Sequence, residues 1–340
     1  MEWAWYLLSK KKNDMKYLCL FIVLLLTALI TSACGSPANE ELIPVTFMLD
    51  WVPNTNHTGI FVSEAKGYFE EAGLSVDIIQ PGEVYPEAAV ASGTADFGIS
   101  FQEQVTLAHA NDVPIVSIAA VLQHNTSGFA SAAHLNVTSP ADFEGLRYGA
   151  WGSPFEEPTL EVLMKCAGGD FSQLEILNTG WADPLALIAE DQIDIAWIFY
   201  GWQGFQAQQH KVDLNVVMME DYFDCIPDYY TPVIIASEDI IANKPEVVKA
   251  LMKALSRGYD FAIQNPSEAA NLLLAAVPEL DIELVKASQG WLSKYYKADA
   301  IRWGEQKESV WQDYTDWMAK YGILPAPISP SDAFTNEFLP

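Results

Sequence analysis

The sequence predicts an α/β protein of two lobes with a ligand cleft between them. Three observations carry this. Short apolar runs alternate with stretches of helical period from Val45 to Ala236, the pattern of parallel sheets covered by helices. The alternation restarts at Ser139-Pro140-Ala141-Asp142-Phe143-Glu144-Gly145, which makes two such units. From Asn243 onward the chain is helical. The domain bounds that follow are 44–137 with 238–340 for lobe 1 and 138–237 for lobe 2, so the chain crosses between lobes more than once.

The N-terminus reads as a targeting segment. Lys10, Lys11, Lys12 and Lys16 precede an apolar run from Leu18 to Ile30, followed by Thr31-Ser32-Ala33 and Cys34. This is the tripartite secretory pattern, too short for a stable membrane span. Met15-Lys16-Tyr17 is an alternative start for it. Cys34 after Ala33 resembles a bacterial lipoprotein cleavage site, where the cysteine takes a lipid anchor, although Thr31 stands where a larger aliphatic residue is usual. Ordinary cleavage elsewhere, with Cys34 a free thiol, is the alternative. Residues 1–34 are the expected signal segment and 35–43 a tether.

Half of the residues are apolar and 19% are charged, a globular composition. The formal net charge is −27, and no Lys/Arg cluster occurs beyond the first sixteen residues. Such a surface repels phosphates, so no nucleic-acid partner is expected. Cys166 and Cys225 remain in the folded part. Export permits a disulfide between them; two cysteines in a chain of this size are more often simply buried. The five histidines and these cysteines show no metal-ligand spacing, and no metal site is expected.

In order, strand Val45–Leu49 runs through the turn Asp50-Trp51-Val52-Pro53-Asn54-Thr55-Asn56-His57 into a helix, Thr58–Ala65. Strand Leu74–Ile79 leads to Pro81-Gly82-Glu83-Val84-Tyr85-Pro86 and helix Glu87–Ser92. Strand Ala95–Ile99 leads to Ser100-Phe101-Gln102-Glu103-Gln104, and strand Ile115–Leu122 to Gln123-His124-Asn125-Thr126-Ser127-Gly128. With right-handed crossovers, all four turns lie on one edge of one sheet. One polar turn is unremarkable; four that converge are better explained by a cleft. The second unit repeats the alternation with strands Arg147–Ala150, Leu174–Leu177, Ile193–Ile198, Leu214–Met218 and Val233–Ala236. Pro245-Glu246 opens a helix broken at Asn265-Pro266; helices Ser267–Ala276, Ile282–Trp291 and Gln306–Tyr321 follow, with Ile323-Leu324 as a last strand.

These motifs carry a resemblance. Asp50–Gly59, Gly67-Tyr68-Phe69, Ala95–Ile99, Gln123–Gly128 and Trp151-Gly152-Ser153-Pro154-Phe155-Glu156-Glu157 closely resemble the thiamine-pyrimidine-precursor binding proteins of ABC importers. Trp197–Trp202 and Arg302–Lys307 continue the match, which spans roughly residues 44 to 322. The resemblance implies a two-lobed periplasmic-binding fold of type II and ABC permease subunits as partners. The implied ligand is a formylated aminomethylpyrimidine or the hydroxymethylpyrimidine of thiamine, with another flat heterocycle such as riboflavin as the alternative. The same family holds pyrimidine synthases, which carry a lysine for pyridoxal phosphate and a donor histidine after the third strand, and a later run of cysteines. Here Ser100–Gln104 has neither lysine nor histidine, and Asp224–Tyr230 holds one cysteine, so neither a catalytic residue nor a cofactor is expected.

An aminopyrimidine offers a flat π-face and a mixed donor-acceptor edge. Trp51, Tyr85, Trp151, Tyr200 and Trp202 are candidates for the face, each beside a strand end or helix start; core packing is the alternative for any one. Asp50 and Glu83 are the expected acceptors for the exocyclic amine, and Gln203 stands where some relatives carry an acid. Asn54, His57, Gln102 and Gln123 can add bonds or merely hold turns. Gly152 before a helix start has the form of an anion site, yet Ser153 and Glu156 read as a capping box with Pro154 at the first helical position. Glu156 and Glu157 would oppose a phosphate or sulfonate there, so a neutral ligand group is expected.

Overall fold

The computed structural model describes residues 41–82, 84–180, 182–325 and 328–340. The expected signal segment with Cys34, most of the tether, and Glu83 lie outside the described residues. The strands are β1 (Ile43–Met48), β2 (Leu74–Ile79), β3 (Phe97–Ser100), β4 (Ile115–Ala120), β5 (Ser127–Ala132), β6 (Arg147–Ala150), β7 (Glu175–Asn178), β8 (Ile195–Phe199), β9 (Leu214–Met218) and β10 (Val233–Ser237). They form two five-stranded sheets, ordered β2-β1-β3-β10-β4 and β7-β6-β8-β5-β9.

Within the first sheet β1 pairs parallel with β2 and β3, while β10 is antiparallel to both β3 and β4. β4 therefore runs the same way as β1, β2 and β3, and four carboxyl ends share one edge. The second sheet repeats this: β6 is parallel to β7 and β8, and β5 is antiparallel to β8 and β9. In each sheet the reversed strand is the one that has just arrived from the other sheet.

This topology moves the expected crossings. β5 pairs in the second sheet, although residues up to 137 were assigned to lobe 1, and β10 pairs in the first, although residues up to 237 were assigned to lobe 2. The crossings between sheets are residues 121–126 and 219–232. β5, Ser-Gly-Phe-Ala-Ser-Ala, was not foreseen as a strand: it is small and turn-like in composition, and burial between β8 and β9 makes it a strand. Ile323-Leu324 is not a strand; it packs on the second core.

Helices α1 (Thr58–Ala65), α2 (Tyr68–Glu71), α3 (Pro86–Ala91) and α4 (Gln102–Ala110) return the chain along the first sheet. Helices α5 (Glu156–Cys166), α6 (Pro184–Ala189) and α7 (Phe205–Gln209) serve the second. Then come α8 (Glu238–Asn243), α9 (Pro245–Gln264), α10 (Pro266–Ala276), α11 (Ile282–Leu292), α12 (Glu308–Lys320) and α13 (Pro330–Ala333). The apolar stripe of α9 (Val247, Val248, Leu251, Leu255, Tyr259) buries against α1 and the first core. The approach is close because of two glycines. A Cβ on Gly258 would lie 2.1 Å from the Gly59 carbonyl oxygen, and one on Gly59 would meet the Tyr259 ring.

α12 serves both lobes. Trp311 packs with Met48, Val105 and Ile235, while Tyr314, Trp317 and Met318 join the second core around Phe129, Tyr148 and Leu160. Cys166, at the end of α5, and Cys225, in the second crossing, are joined by a disulfide, with Cα atoms 6.3 Å apart. The commoner fate of two buried thiols does not apply here.

Candidate functional site

A cavity of about 650 Å³ is lined from both sheets at their strand ends. Asp50 and Trp51 follow β1, Tyr85 and Glu87 lie beyond β2, and Phe101 and Glu103 follow β3. The second sheet contributes Trp151, Gly152 and Ser153 after β6, Thr179 and Gly180 after β7, and Phe199, Trp202 and Gln203 at β8 and beyond. Ser127, the first residue of β5, also lines it. Among the described lining residues the charged ones are Asp50, Glu87 and Glu103, with no lysine, arginine or histidine.

The β1 turn is self-bonded. The Asn54 side chain accepts from the Asn56 N–H at 2.9 Å and donates to the Val52 carbonyl at 3.1 Å. The Asn54 N–H donates to His57 Nδ1 at 3.2 Å, so the proton lies on Nε2, which donates to Asp50 Oδ1 at 2.6 Å. His57 is fully buried and does not line the cavity. It orients Asp50, whose carboxylate is 11% exposed at the cavity. Asn54 both caps and lines.

Gln102 and Gln123 do not reach the cavity. Gln102 accepts from the Tyr230 N–H at 2.8 Å and donates to the Val310 carbonyl, tying α4 to the second crossing and to α12. Gln123 donates to the Glu305 carbonyl at 3.0 Å. Tyr200 is also outside the lining. Its ring packs edge-on against Phe205 and Trp291, and its hydroxyl accepts from Gln208. The alternative readings, turn-holding and packing, hold for these three.

Tyr200–Gly204 forms a π-helical turn that throws Trp202 and Gln203 into the cleft. Gln203 Oε1 accepts the Phe199 N–H at 3.0 Å and closes the turn. Lobe 1 braces it: Ser288 on α11 donates to the Gly201 carbonyl, and Thr55 bonds the same hydroxyl at 2.5 Å.

The aromatic wall of the second lobe is a cluster. Trp151 lies 5.4 Å from Trp197, and Phe155 stands edge-on to both rings. Trp197 Nε1 donates to Ser127 Oγ at 2.8 Å, which fixes the indole. Phe101 and Phe199 stack across the lobes at 6.0 Å. Trp197 was foreseen as a strand residue and Phe199 only as part of the family match; their position at the carboxyl end of β8 is what exposes them to the cleft.

Glu156 takes a part the sequence half revealed. Its carboxylate accepts from the backbone N–H groups of Trp151, Gly152 and Ser153 at 3.2, 2.8 and 2.7 Å, and from the Tyr148 hydroxyl at 2.8 Å. Burial raises its pKa against the pull of these four bonds. The return half of the capping box is not made: Ser153 Oγ has no partner among the described residues, and α5 begins at Glu156 itself. The donors that could cradle a phosphate or sulfonate are thus taken by the protein's own carboxylate. Gly152, at φ +100°, allows the loop to fold over it.

Glu87 and Glu103 were missed. Each sits in the first turn of a helix that follows a strand, where an acid reads as a helix-dipole partner; the carboxyl-end rule alone could have picked them out. Glu87 accepts from Ser100 Oγ. Burial raises its pKa, with a contribution from Asp50. Glu103 is 5% exposed and its Oε2 has no hydrogen-bond partner among the described residues. Burial, and then the nearby Glu87, push its pKa up to about 8. An idle buried oxygen of this kind costs about 1–3 kcal/mol. No group of three or more His, Cys, Asp or Glu among the described residues is placed to hold a metal ion.

Two sheets of this topology, joined by two crossings with a cavity at their strand ends, define a two-lobed periplasmic-binding fold of type II. The alkanesulfonate-binding protein SsuA from Xanthomonas axonopodis pv. citri, solved with MOPS, superposes with a TM-score of 0.67 at 14% identity, covering 87% of this chain and 99% of that one. The NMT1/THI5-like family profile matches residues 54–269, and the chain belongs to that family. The formylaminopyrimidine-binding protein of Halalkalibacterium halodurans is 31% identical over 326 residues, 93% of this chain and 97% of the relative. The riboflavin-binding protein RibY of Chloroflexus aurantiacus is 26% identical over 328 residues, 91% and 90% of the two chains.

Proposed function

We propose that this protein captures a thiamine pyrimidine precursor, formylaminopyrimidine or hydroxymethylpyrimidine, and hands it to the permease of an ABC importer. The described lining of the cleft carries the reading: indoles from both lobes, three carboxyl groups and, among the described residues, no cation. Such a lining suits a flat, amine-bearing ring and opposes the anions that related folds bind. Trp51 and the Trp151–Trp197 pair supply π-faces, Asp50 held by His57 supplies an acceptor, and Gly152 and Ser153 meet a neutral group. Ligand contacts to both lobes favour a closed form, which the permease reads.

The role is carriage and not catalysis. The turn after β3 holds no lysine or histidine for cofactor chemistry, and Cys225 is tied to Cys166. The disulfide agrees with export. In this reading residues 1–33 are removed and Cys34, now first in the chain, anchors it by lipid to the outer face of the cytoplasmic membrane. Calorimetry on the purified protein tests the ligand against formylaminopyrimidine, hydroxymethylpyrimidine and riboflavin. Micromolar or tighter binding of one pyrimidine, with no product formed, is expected. Tighter binding of riboflavin, or turnover, refutes the reading.

A further inference from the structure

Of the three carboxyl groups among the described lining residues, two already have partners within the protein. Asp50 accepts a hydrogen bond from His57 Nε2–H, and Glu87 accepts one from Ser100. Glu103 differs: it lines the cavity, is more than nine-tenths buried, and its Oε2 meets no donor or acceptor among the described residues. The groups that face it are Glu87 from α3, Tyr229 from the second crossing and Tyr314 from α12, with Asp50 beyond Glu87. None is a cation, and the two tyrosines are buried, which pushes both phenols well above their usual range. Nothing in the described lining pairs with that oxygen, which leaves it for an incoming group.

A carboxyl in this setting complements one kind of edge: a ring nitrogen beside an exocyclic amine. One oxygen accepts an amine hydrogen while the other shares a proton with the ring nitrogen, giving two parallel bonds. We propose that Glu103 reads the amidine edge of an aminopyrimidine and that the complex holds one proton between this carboxyl and the ring. The inference rests on the pyrimidine reading and goes beyond it, naming the residue, the edge and the protonation. Asp50 and the indoles are left to fix the rest of the ring. Whether the proton sits on the carboxyl or on the ring, its count is the same, so binding weakens when that proton is removed. Burial raises the Glu103 pKa to about 8 before ligand arrives, so the carboxyl carries the proton at neutral pH.

The test pairs two probes with two variants. The probes are 4-amino-5-hydroxymethyl-2-methylpyrimidine and the same ring with hydrogen in place of the amine. The wild type should prefer the amine at least tenfold at pH 7 and lose affinity for it between pH 8 and 9.5. Glu103→Leu should cut the preference below threefold, a change that a purely structural loss, equal for both probes, would not produce. Glu103→Gln, which keeps one donor and one acceptor, should hold affinity within about threefold and lose the pH dependence. A Glu103→Leu protein that keeps the full preference, or a wild type whose affinity is flat to pH 9.5, overturns the inference while the pyrimidine reading stands. Binding of neither probe, nor of the N-formyl compound, by the wild type sinks both. If Glu103→Leu fails to fold, the Gln variant and the wild-type pH series still decide.

Discussion

Trp51 closes the β1 turn with its ring at the cavity, while the bonds that shape the turn come from Asn54 and His57. Its removal should therefore reach binding and leave the turn intact. Trp51→Ala is expected to weaken pyrimidine binding at least tenfold, about 1.4 kcal/mol, with an unchanged melting temperature; equal affinity by calorimetry counts against the site. Glu156 behaves the other way. It holds three backbone N–H groups and a buried hydroxyl and does not line the cleft. Glu156→Ala should cost at least about 2 kcal/mol in denaturant unfolding, and only secondarily affect ligand. Residues whose chemistry and position agree, such as Asp50, Trp51, Trp151 and Trp202, were legible in the sequence. His57, Gln102 and Gln123 were legible as polar turn residues, but polarity does not say which way a side chain turns. His57 turns to Asp50 within its own turn, while Gln123 and Gln102 reach backbone far along the chain, Gln102 at residues 230 and 310.

At the scale of elements, the closest packing is α9 on α1. The carbonyl of Gly59 occupies the space where any side chain at 258 would begin. Gly258→Ala must push the helices apart and should lower stability by about 1–3 kcal/mol, read from urea unfolding; an unchanged midpoint would mean the helices yield freely. The disulfide between Cys166 and Cys225 closes a loop of 59 residues. Its reduction should lower stability by about 2–4 kcal/mol, seen as a drop in melting temperature with a reductant present. Periodicity and punctuation placed most elements well: α9 and α10 break at Asn265-Pro266, and β6 and β9 fall where the apolar runs do. β5 escaped because its alanines, serines and glycine carry no strand signal. Neighbours on both sides impose its conformation, which no local pattern records.

The two crossings meet at His124. Its Nδ1 lies 2.6 Å from Asp228 in the other crossing, and its Nε2 lies 3.0 Å from Asp299. The hydrogen bond to Asp228 leads the causes that raise its pKa above the ordinary histidine value. A raised histidine pKa adds stability that is complete below pH about 6.5 and is lost as pH rises through the folded-state value. Stability should therefore fall with rising pH above neutrality, and His124→Gln should remove this part of the slope; melts between pH 6 and 9 measure it. The same protonation joins the crossings, so lobe movement should ease over the same range.

The sequence by itself determined the α/β class, the two units, the cleft at the strand ends and part of its aromatic wall, because apolar period and turn chemistry are local quantities. Only the tertiary structure decided which strands cross to the other sheet, that Glu156 engages the loop that could have held an anion, and that Glu103 is left with an idle oxygen. Those facts depend on what stands opposite each group, and that is set by pairing and burial between residues far apart in the chain.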